Sequence, residues 1–302
     1  MTGDRRACFY LEPGLRERAA AGQHPFIEKM ANILENSQFR VEFRDHGDFA
    51  KARGAYSLSH MKEPPNLRGL VFRRAYEYPF WQIDCTSRRW DWDVARNVFD
   101  PNTVPMKEAE QFYRFWRKRL YGETPQKTER GGFVYVPLQG RLTRHRSFQT
   151  CSPLEMIEYC VAHSGHRKVI ATLHPDEEYS ATERTALEAL VERYSRLSVQ
   201  AGGMVPLLQA CDYVVTQNSS AAFAGYFFAK PALLFAKIDF HHIGIKAKMD
   251  DLPQSFAQAA AHRPDFARYL WWFWQDQSIN AGRDTAEAKI VERLKRFGWP
   301  ID

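Results

Sequence analysis

A histidine and two serines have the side-chain types and the positions needed to bind the phosphate group of a ligand. The residues concerned are His174 with Pro175, and Ser219 and Ser220 with Asn218 before them. Each group follows a short apolar run that predicts a buried strand, and the serines also start a predicted helix. Free N–H groups and hydroxyls at a helix start bind anions, and a histidine N–H can donate to the same anion. Such donors stabilise a departing phosphate; the alternative interpretation is an ordinary capped helix.

Two further strand exits carry residues suited to the same ligand. Gln139 follows the predicted strand 133–138, and Gly202 and Gly203 follow the predicted strand 197–200. Because parallel strands end at one edge of a sheet, we expect all these exit residues to lie along that edge. The sequence therefore predicts a phosphate-binding edge in the second half of the chain.

Candidate carboxylates for a general base or a nucleophile lie in the first half of the chain. The segment 76–93 is dense in aromatic and charged side chains, and we predict that it lines a cleft that stacks on a sugar; a surface-wrapping segment is the alternative. Asp84 in this segment is our first candidate, because two tryptophans and the pair Arg88 and Arg89 lie within six residues of it. We expect these arginines to keep Asp84 ionised, and a structural salt bridge is the alternative. Asp45 and Asp48, in the turn after an early predicted strand, are the competing candidates.

Residues typical of a metal site are sparse, and we expect no metal ion. His241 and His242 are adjacent in the sequence, so their side chains face apart and a loop is the better interpretation. No D-x-D motif lies on a predicted strand. The five cysteines are odd in number and lack C-x-x-C spacing, which indicates reduced thiols in a cytosolic protein.

The second half of the chain alternates between strand and helix patterns. Capping boxes at Ser152 and Ser180 predict the starts of two of its helices. Alternation of this kind predicts a parallel sheet with helices on its faces. The five predicted strands are 133–138, 168–173, 197–200, 213–216 and 232–235.

The first half repeats this pattern more weakly. Predicted strands 7–11 and 40–44 enclose a predicted turn at 12–14 and an amphipathic helix over 24–35, which is typical of the first unit of a Rossmann-like half. The polar segment 122–132, with its proline and glycine pair, predicts the domain boundary. We therefore expect an α/β domain over 1–125, a Rossmann-like domain over 131–265, and C-terminal helices over 266–302 that pack back toward the first domain.

Composition indicates a globular protein whose first half is basic. The 302 residues are 44% hydrophobic and 26% charged, and no window is apolar enough to predict a membrane-spanning helix. Residues 1–130 contain 23 basic against 18 acidic side chains, which accounts for most of the net charge of +6. A basic half favours an anionic partner. No nucleic-acid-binding motif accompanies the charge, and we expect no nucleic-acid partner.

The order of these motifs resembles that of a known enzyme family. The segments that carry the resemblance are Pro137-Leu-Gln139, Leu173-His-Pro175, Asp212 to Ser220, Lys230-Pro231 and Tyr269 to Gly282. They look like the second half of GT-B glycosyltransferases, which would make the chain an α/β protein with two Rossmann-like halves, parallel sheets and a C-terminal helical return segment. They are most similar to the capsular-polysaccharide Kdo-transferase group, which is related to bacterial sialyltransferases that use CMP-activated acidic sugars.

The resemblance implies roles for individual residues, and the sequence also departs from it. In that group an HP motif and a serine motif bind the CMP phosphate, which implies this role for His174, Ser219 and Ser220. Many GT-B enzymes place a ribose-binding glutamate where this chain has Ala224 and Gly225, which argues against a UDP-sugar donor. The acidic motif of the sialyltransferases is also absent, so the catalytic carboxylate is left to the candidates named above.

The function implied by the resemblance is transfer of Kdo or a similar acidic sugar from a CMP donor to a bacterial surface polysaccharide or glycolipid. The nucleotide sugar would be a substrate, and no cofactor is expected. The acceptor would be an anionic glycan or glycolipid, met in the cytoplasm with peripheral contact to the inner membrane. The alternatives are a UDP- or GDP-sugar transferase and a non-catalytic sugar- or nucleotide-binding partner in a polysaccharide assembly complex.

Overall fold

The computed structural model describes residues 5–51 and 55–302, and the chain divides into two compact units. Unit 1 comprises Met1–Asn97 and Trp272–Asp302, and unit 2 comprises Val98–Trp271. This division differs from the predicted boundary at 122–132, because the helix Met106–Tyr121 belongs to the second unit. The segment that returns to unit 1 begins at Trp272 rather than at residue 266.

The strands of the described residues, in chain order, are β1 (Arg6–Leu11), β2 (Arg40–Asp45), β3 (Tyr56–His60), β4 (Gly69–Arg74), β5 (Phe80–Asp84), β6 (Phe133–Pro137), β7 (Lys168–Leu173), β8 (Leu197–Ala201), β9 (Tyr213–Thr216), β10 (Ala232–Leu234), β11 (Ile245–Lys246) and β12 (Ile279–Asn280).

The α-helices are α1 (Pro13–Ala20), α2 (Pro25–Asn36), α3 (Asp93–Arg96), α4 (Met106–Tyr121), α5 (Pro153–His163), α6 (Ala181–Arg193), α7 (Met204–Ala210), α8 (Ser220–Tyr226), α9 (Leu252–Ala261), α10 (Phe266–Trp271) and α11 (Ala286–Arg296). Across the described ranges, none of them has both the length and the apolar character needed to cross a membrane.

The sheet of unit 1 has the strand order β12-β5-β4-β3-β1-β2. Its β2, β1, β3 and β4 strands are parallel, while β5 and β12 are antiparallel to their neighbours. The sequence did not predict β3, which contributes the fully buried Ser57 and Ser59. The predicted turn after β1 is also wrong, because α1 starts there with Glu12 at its N-cap and Pro13 in its first turn.

Aromatic side chains form much of the core of unit 1. Trp81 of β5 stacks on Phe26 of α2, with ring centroids 4.7 Å apart, and both are buried. Trp274 stacks on Phe80 at 4.5 Å and donates a hydrogen bond from Nε1 to the carbonyl of Ala75 at 2.9 Å. A buried aromatic of this size stabilises the fold by about 1.5–3 kcal/mol. The aromatic segment 76–93, predicted to line a cleft, thus contributes a core strand instead.

The sheet of unit 2 has the order β11-β10-β9-β6-β7-β8, and all its described pairs are parallel. The five strands predicted here are confirmed, and the two-residue β11 extends the sheet at one edge. Both predicted capping boxes are present: Ser152 with Glu155 at α5, and Ser180 with Glu183 at α6. These caps fix the points at which the chain leaves the strand-exit loops, so they also fix the length of those loops.

Candidate functional site

The sheet of unit 2 has a topological switch point between β6 and β9. From β6 the chain continues to β7 and β8 on one side, whereas β9, β10 and β11 follow on the other side. The loops after β6 and β9 therefore diverge to opposite faces, and the crevice between them is where ligands bind in open α/β sheets. The hydroxyl of Thr216, at the end of β9, donates to the carbonyl oxygen of Pro137, at the end of β6, at 3.2 Å.

Ser219 and Ser220 lie directly after β9 and have different tasks. The Oγ atom of Ser219 accepts the N–H of Ala221 at 3.2 Å and caps α8, as predicted. Its own N–H donates to Oγ1 of Thr216 at 3.4 Å. Ser220 is exposed, whereas Ser219 and Asn218 are buried. The hydroxyl of Ser220 is therefore the group of this turn that a ligand in solution can reach.

His174 follows β7, the other neighbour of β6, and is exposed. Its Nδ1 atom accepts the N–H of Asp176 at 3.1 Å, and its own N–H donates to the hydroxyl of the buried Tyr179 at 2.9 Å. Because Nδ1 acts as an acceptor, the ring proton of neutral His174 is on Nε2. The loop therefore presents an N–H donor at this edge of the sheet, as binding of a phosphate requires.

The remaining predicted residues follow β6 and β8. Gln139 is half-buried, and its Oε1 atom is buried without a hydrogen-bond partner among the described residues. Gly202 and Gly203 both have left-handed backbone, with φ of 65° and 77°. Adjacent strands lie about 4.8 Å apart. The exits of β9, β6 and β7 are thus close together, whereas Gly202 and Gly203 follow the edge strand β8, three strand spacings from β9.

Asp84, the first candidate for the catalytic carboxylate, lies in the interior of unit 1. Its side chain is 2% exposed, and its two oxygens accept the N–H groups of Cys85 and Asp93, each at 2.8 Å. Burial raises the pKa of Asp84. The expected help from the arginines is absent, because Arg88 pairs with Asp91 at 3.1 Å and Arg89 donates to Tyr76 at 2.9 Å.

This arrangement is that of a structural carboxylate. It joins the end of β5 to the start of α3 through two backbone N–H groups. The competing candidates are more accessible: Asp45 and Asp48 are half-buried at the end of β2 and in the short 3-10 helix after it. Asp45 accepts the N–H of Gly47 at 2.9 Å, which is a local turn contact.

A different pair of residues occupies the switch point of unit 1. There β2 and β3 flank β1, so the chain leaves β1 and β3 toward opposite faces, and their exit residues are Glu12 and His60. The Nδ1 atom of His60 lies 2.8 Å from Oε2 of Glu12. The side chain of His60 is 15% exposed and that of Glu12 is 44% exposed.

The charges of this pair suit proton transfer. Burial lowers the pKa of His60 and outweighs the hydrogen bond to Glu12, which raises it. Burial raises the pKa of Glu12, but the hydrogen bond from His60 together with further groups outweighs it, and the net pKa is lowered. An ionised Glu12 therefore accepts the Nδ1 proton of a neutral His60, which leaves Nε2 as a basic nitrogen. Such a carboxylate-oriented imidazole can act as a general base.

Metal-binding side chains do not cluster in the part of the chain that the structure describes. No group of three or more histidine, cysteine, aspartate or glutamate side chains there has the geometry to hold a metal ion. The side chains of His241 and His242 do not face apart as expected, because their rings are stacked with centroids 4.4 Å apart. Their Nδ1 atoms lie within hydrogen-bond distance of the carbonyl of Ile238 and the hydroxyl of Tyr269, as suits a structural loop.

Comparison with known proteins finds similarity of fold rather than of sequence. No family model matches the chain, and no curated protein matches its sequence. Among solved structures, KpsC of Thermosulfurimonas dismutans, described as a beta Kdo 2,7 transferase, is similar with a TM-score of 0.56 and 12% sequence identity. The similarity covers 97% of this chain and 99% of that one. It shows a GT-B-like fold with two α/β halves, which confirms the predicted fold class.

Proposed function

We propose that the protein is a nucleotide-sugar-dependent glycosyltransferase. The observation that carries this proposal is the loop after β7, in which a hydrogen bond from Asp176 leaves the Nε2 proton of His174 free to donate at the strand exits. Ser220 is exposed after β9, on the far side of β6. Donors on both sides of a switch point suit the phosphate of a nucleotide. The GT-B-like fold supports the same reaction class.

The favoured donor is a CMP-linked acidic sugar such as Kdo. A glutamate that binds the ribose of UDP sugars would have to come from position 224 or 225 of α8. At Gly225 an added Cβ atom would lie 3.3 Å from Leu208 and 3.4 Å from Val214, so a glutamate there would require these side chains to shift. At Ala224 the chain simply lacks the carboxylate. Both facts weigh against the UDP-sugar arrangement and leave CMP as the better fit.

For the acid–base group we propose His60, oriented by Glu12, in place of Asp84. The pair is at a switch point and half-accessible, whereas both oxygens of Asp84 already bind backbone N–H groups. Deprotonation of an acceptor hydroxyl by Nε2 of His60 would create an imidazolium ion, which the carboxylate of Glu12 stabilises. Asp45 and Asp48 are the rivals for this role.

The acceptor in this proposal is a surface polysaccharide or glycolipid with anionic groups. The excess of basic side chains in residues 1–130 supports an anionic acceptor. The corresponding place of action is the cytoplasm, at the inner face of the inner membrane. Two other functions remain as outcomes of the test: a UDP- or GDP-sugar transferase, and a binding partner without catalytic activity.

The decisive experiment is calorimetric titration of the protein with CMP, UDP and GDP, repeated with His174→Ala. We expect CMP to bind most tightly, and we expect His174→Ala to weaken it by about 1.5–3 kcal/mol, since a charge-assisted hydrogen bond is lost. His166→Ala, at another exposed histidine of unit 2, is the matched control and should bind CMP as the wild type does. An unchanged CMP affinity in folded His174→Ala would remove His174 from the site.

The three nucleotides also separate the alternatives. Tighter binding of UDP or GDP would replace the CMP donor by the corresponding sugar nucleotide. Binding of CMP without hydrolysis or transfer of any CMP sugar would favour the non-catalytic partner. Absence of binding by all three nucleotides would refute the proposed function.

A further inference from the structure

A cavity of about 780 Å³ lies beside the loop that follows β6. Arg141, Arg144, Arg146 and His145 line it on one side, and residues at the start of α6 line it on the other side. This volume is far larger than one inorganic anion and falls in the range of small-molecule sites. The predicted phosphate-binding residues do not line it, so it is a separate feature of unit 2.

The loop is fixed at both ends, so its arginines project from an ordered backbone. At the first end Leu142 is fully buried, and its N–H donates to a carboxylate oxygen of Glu183. At the other end the buried Gln149 accepts the N–H of Arg146 at 2.7 Å and donates its own N–H to the carbonyl of Arg146 at 2.9 Å. The N–H of Thr150 then donates to the carbonyl of Phe235.

The positive charge of the cavity is not neutralised from within. Among the described residues, no ion pair or side-chain hydrogen bond engages the guanidinium groups of Arg141 and Arg146. Glu183 is the one carboxylate in the lining, and it already accepts from Ser180 and Leu142. Hydrogen bonds from the Ser180 backbone and other donors, with the charge of Arg144, lower the pKa of Glu183 and keep it ionised. Three arginines against one committed carboxylate leave a net attraction for anions.

We propose that this cavity binds an oxyanion, a phosphate or a carboxylate, that is carried on a sugar. Guanidinium groups pair with both oxyanions through two parallel N–H donors. The hydroxyls of Thr143, Ser147 and Thr182 in the same lining can bind the hydroxyl groups of the sugar. This inference rests on the proposed function, because the sugar is a substrate only if the protein is a glycosyltransferase.

The test is calorimetric titration of the full chain with glucose 6-phosphate and with glucuronic acid. The variants are the double substitutions Arg144→Gln with Arg146→Gln, and Arg144→Lys with Arg146→Lys. Arg193→Gln is the matched control, because Arg193 is an exposed arginine of α6 that pairs with Glu158 on the surface. All three alter exposed or half-exposed side chains, and unchanged thermal unfolding would verify that each is folded.

We expect the wild type and Arg193→Gln to bind at least one probe, and the double glutamine variant to bind it about tenfold or more weakly. The double lysine variant should lose affinity as well, because lysine keeps the charge but not the two parallel donors. Failure of the wild type to bind either probe at millimolar concentration would overturn the proposal. Full affinity in the glutamine or lysine variant would also overturn it.

A competition titration identifies which sugar carries the oxyanion once binding at the cavity is established. In the presence of a saturating CMP sugar, displacement of the probe would assign the cavity to the sugar of the donor, and simultaneous binding would assign it to a second sugar. The proposed function is tested separately by the CMP affinity of the wild type and of His174→Ala. Absence of probe binding by the wild type, together with intact CMP binding, therefore refutes this inference alone.

Discussion

Glu12→Gln is the most direct test of the pair at the switch point of unit 1. The substitution keeps the shape of the side chain and an oxygen that can accept the Nδ1–H of His60, but it removes the negative charge. In the wild type burial lowers the pKa of His60, and the hydrogen bond to Glu12 opposes that effect. Without the charge, the opposing effect weakens, so the pKa of His60 must fall further. Titration of the histidine ring protons by NMR measures this directly.

The magnitude of the stability change follows from the exposure of the two partners. A hydrogen bond contributes about 0.5–1.5 kcal/mol, and the variant keeps an oxygen that accepts the Nδ1–H of neutral His60. Because the Glu12 side chain is 44% exposed, Glu12→Gln should cost no more than about 1 kcal/mol at neutral pH. A lowered pKa means that folded His60 binds its proton more weakly than unfolded His60. Stability is therefore lost as the pH falls below the ordinary histidine value of about 6.5, and the variant should lose more of it.

Catalysis gives a second test of the same pair. If His60 is the general base, His60→Gln should lower sugar transfer by about 10²–10⁴-fold while CMP affinity stays unchanged. Glu12→Gln should lower transfer less, because half-exposure screens its charge. Glu17→Gln, an exposed position on the same helix, is the control. A His60 pKa that is unchanged or raised in Glu12→Gln would refute the pairing, and wild-type transfer by His60→Gln would refute its catalytic use.

Three further predictions concern the acidic side chains of unit 1. Asp84→Asn should lower the free energy of unfolding in urea by about 1–3 kcal/mol, because the amide cannot accept both backbone N–H groups. Unchanged stability together with loss of sugar transfer would make Asp84 a catalytic candidate again. Asp93→Ala should lower the free energy of unfolding by about 3–5 kcal/mol, because the mostly buried Arg293 of α11 loses its carboxylate partner. Asp91→Ala, at the surface ion pair with Arg88, should change it by no more than about 0.5 kcal/mol in the same urea experiment. Asp45→Asn and Asp48→Asn should each keep near-normal sugar transfer. A large loss of transfer in either variant would assign the general base to that aspartate instead of His60.

The sequence predicted unit 2 well because its signals are local. The strands of its parallel sheet are buried on both faces and read as apolar runs, as Tyr213–Thr216 does. Each capping box is complete within four residues, so Ser152 and Ser180 mark helix starts without knowledge of tertiary contacts. Residues 218–220 follow β9 and His174 directly follows β7. The order of the strands in the sheet then determines which of these residues lie close together.

The expectation that Arg88 and Arg89 keep Asp84 ionised was wrong, because residues close in sequence need not form ion pairs where the chain turns after a strand. The chain leaves β5 after Asp84 and turns into a short 3-10 helix, which carries Arg88 and Arg89 to other partners. The aromatic residues around it were interpreted as a sugar-binding surface. Trp81 is instead 4% exposed against Phe26. Residue types that suit a binding cleft also suit a core, and only burial separates the two.

The pair at the switch point was missed because β3 has only a weak strand pattern. Its sequence Tyr-Ser-Leu-Ser-His contains no apolar run, and its short alternation predicts an exposed serine face, whereas both serines are fully buried. Without β3, nothing places His60 beside Glu12, which lies 48 residues earlier. One local signal was available: Pro13 directly after Glu12 is favoured in the first turn of a helix. It puts a helix start, and with it an acidic side chain, at the exit of the first strand. A search for a catalytic carboxylate guided by strand exits alone would therefore begin at Glu12, before any residue of the aromatic segment.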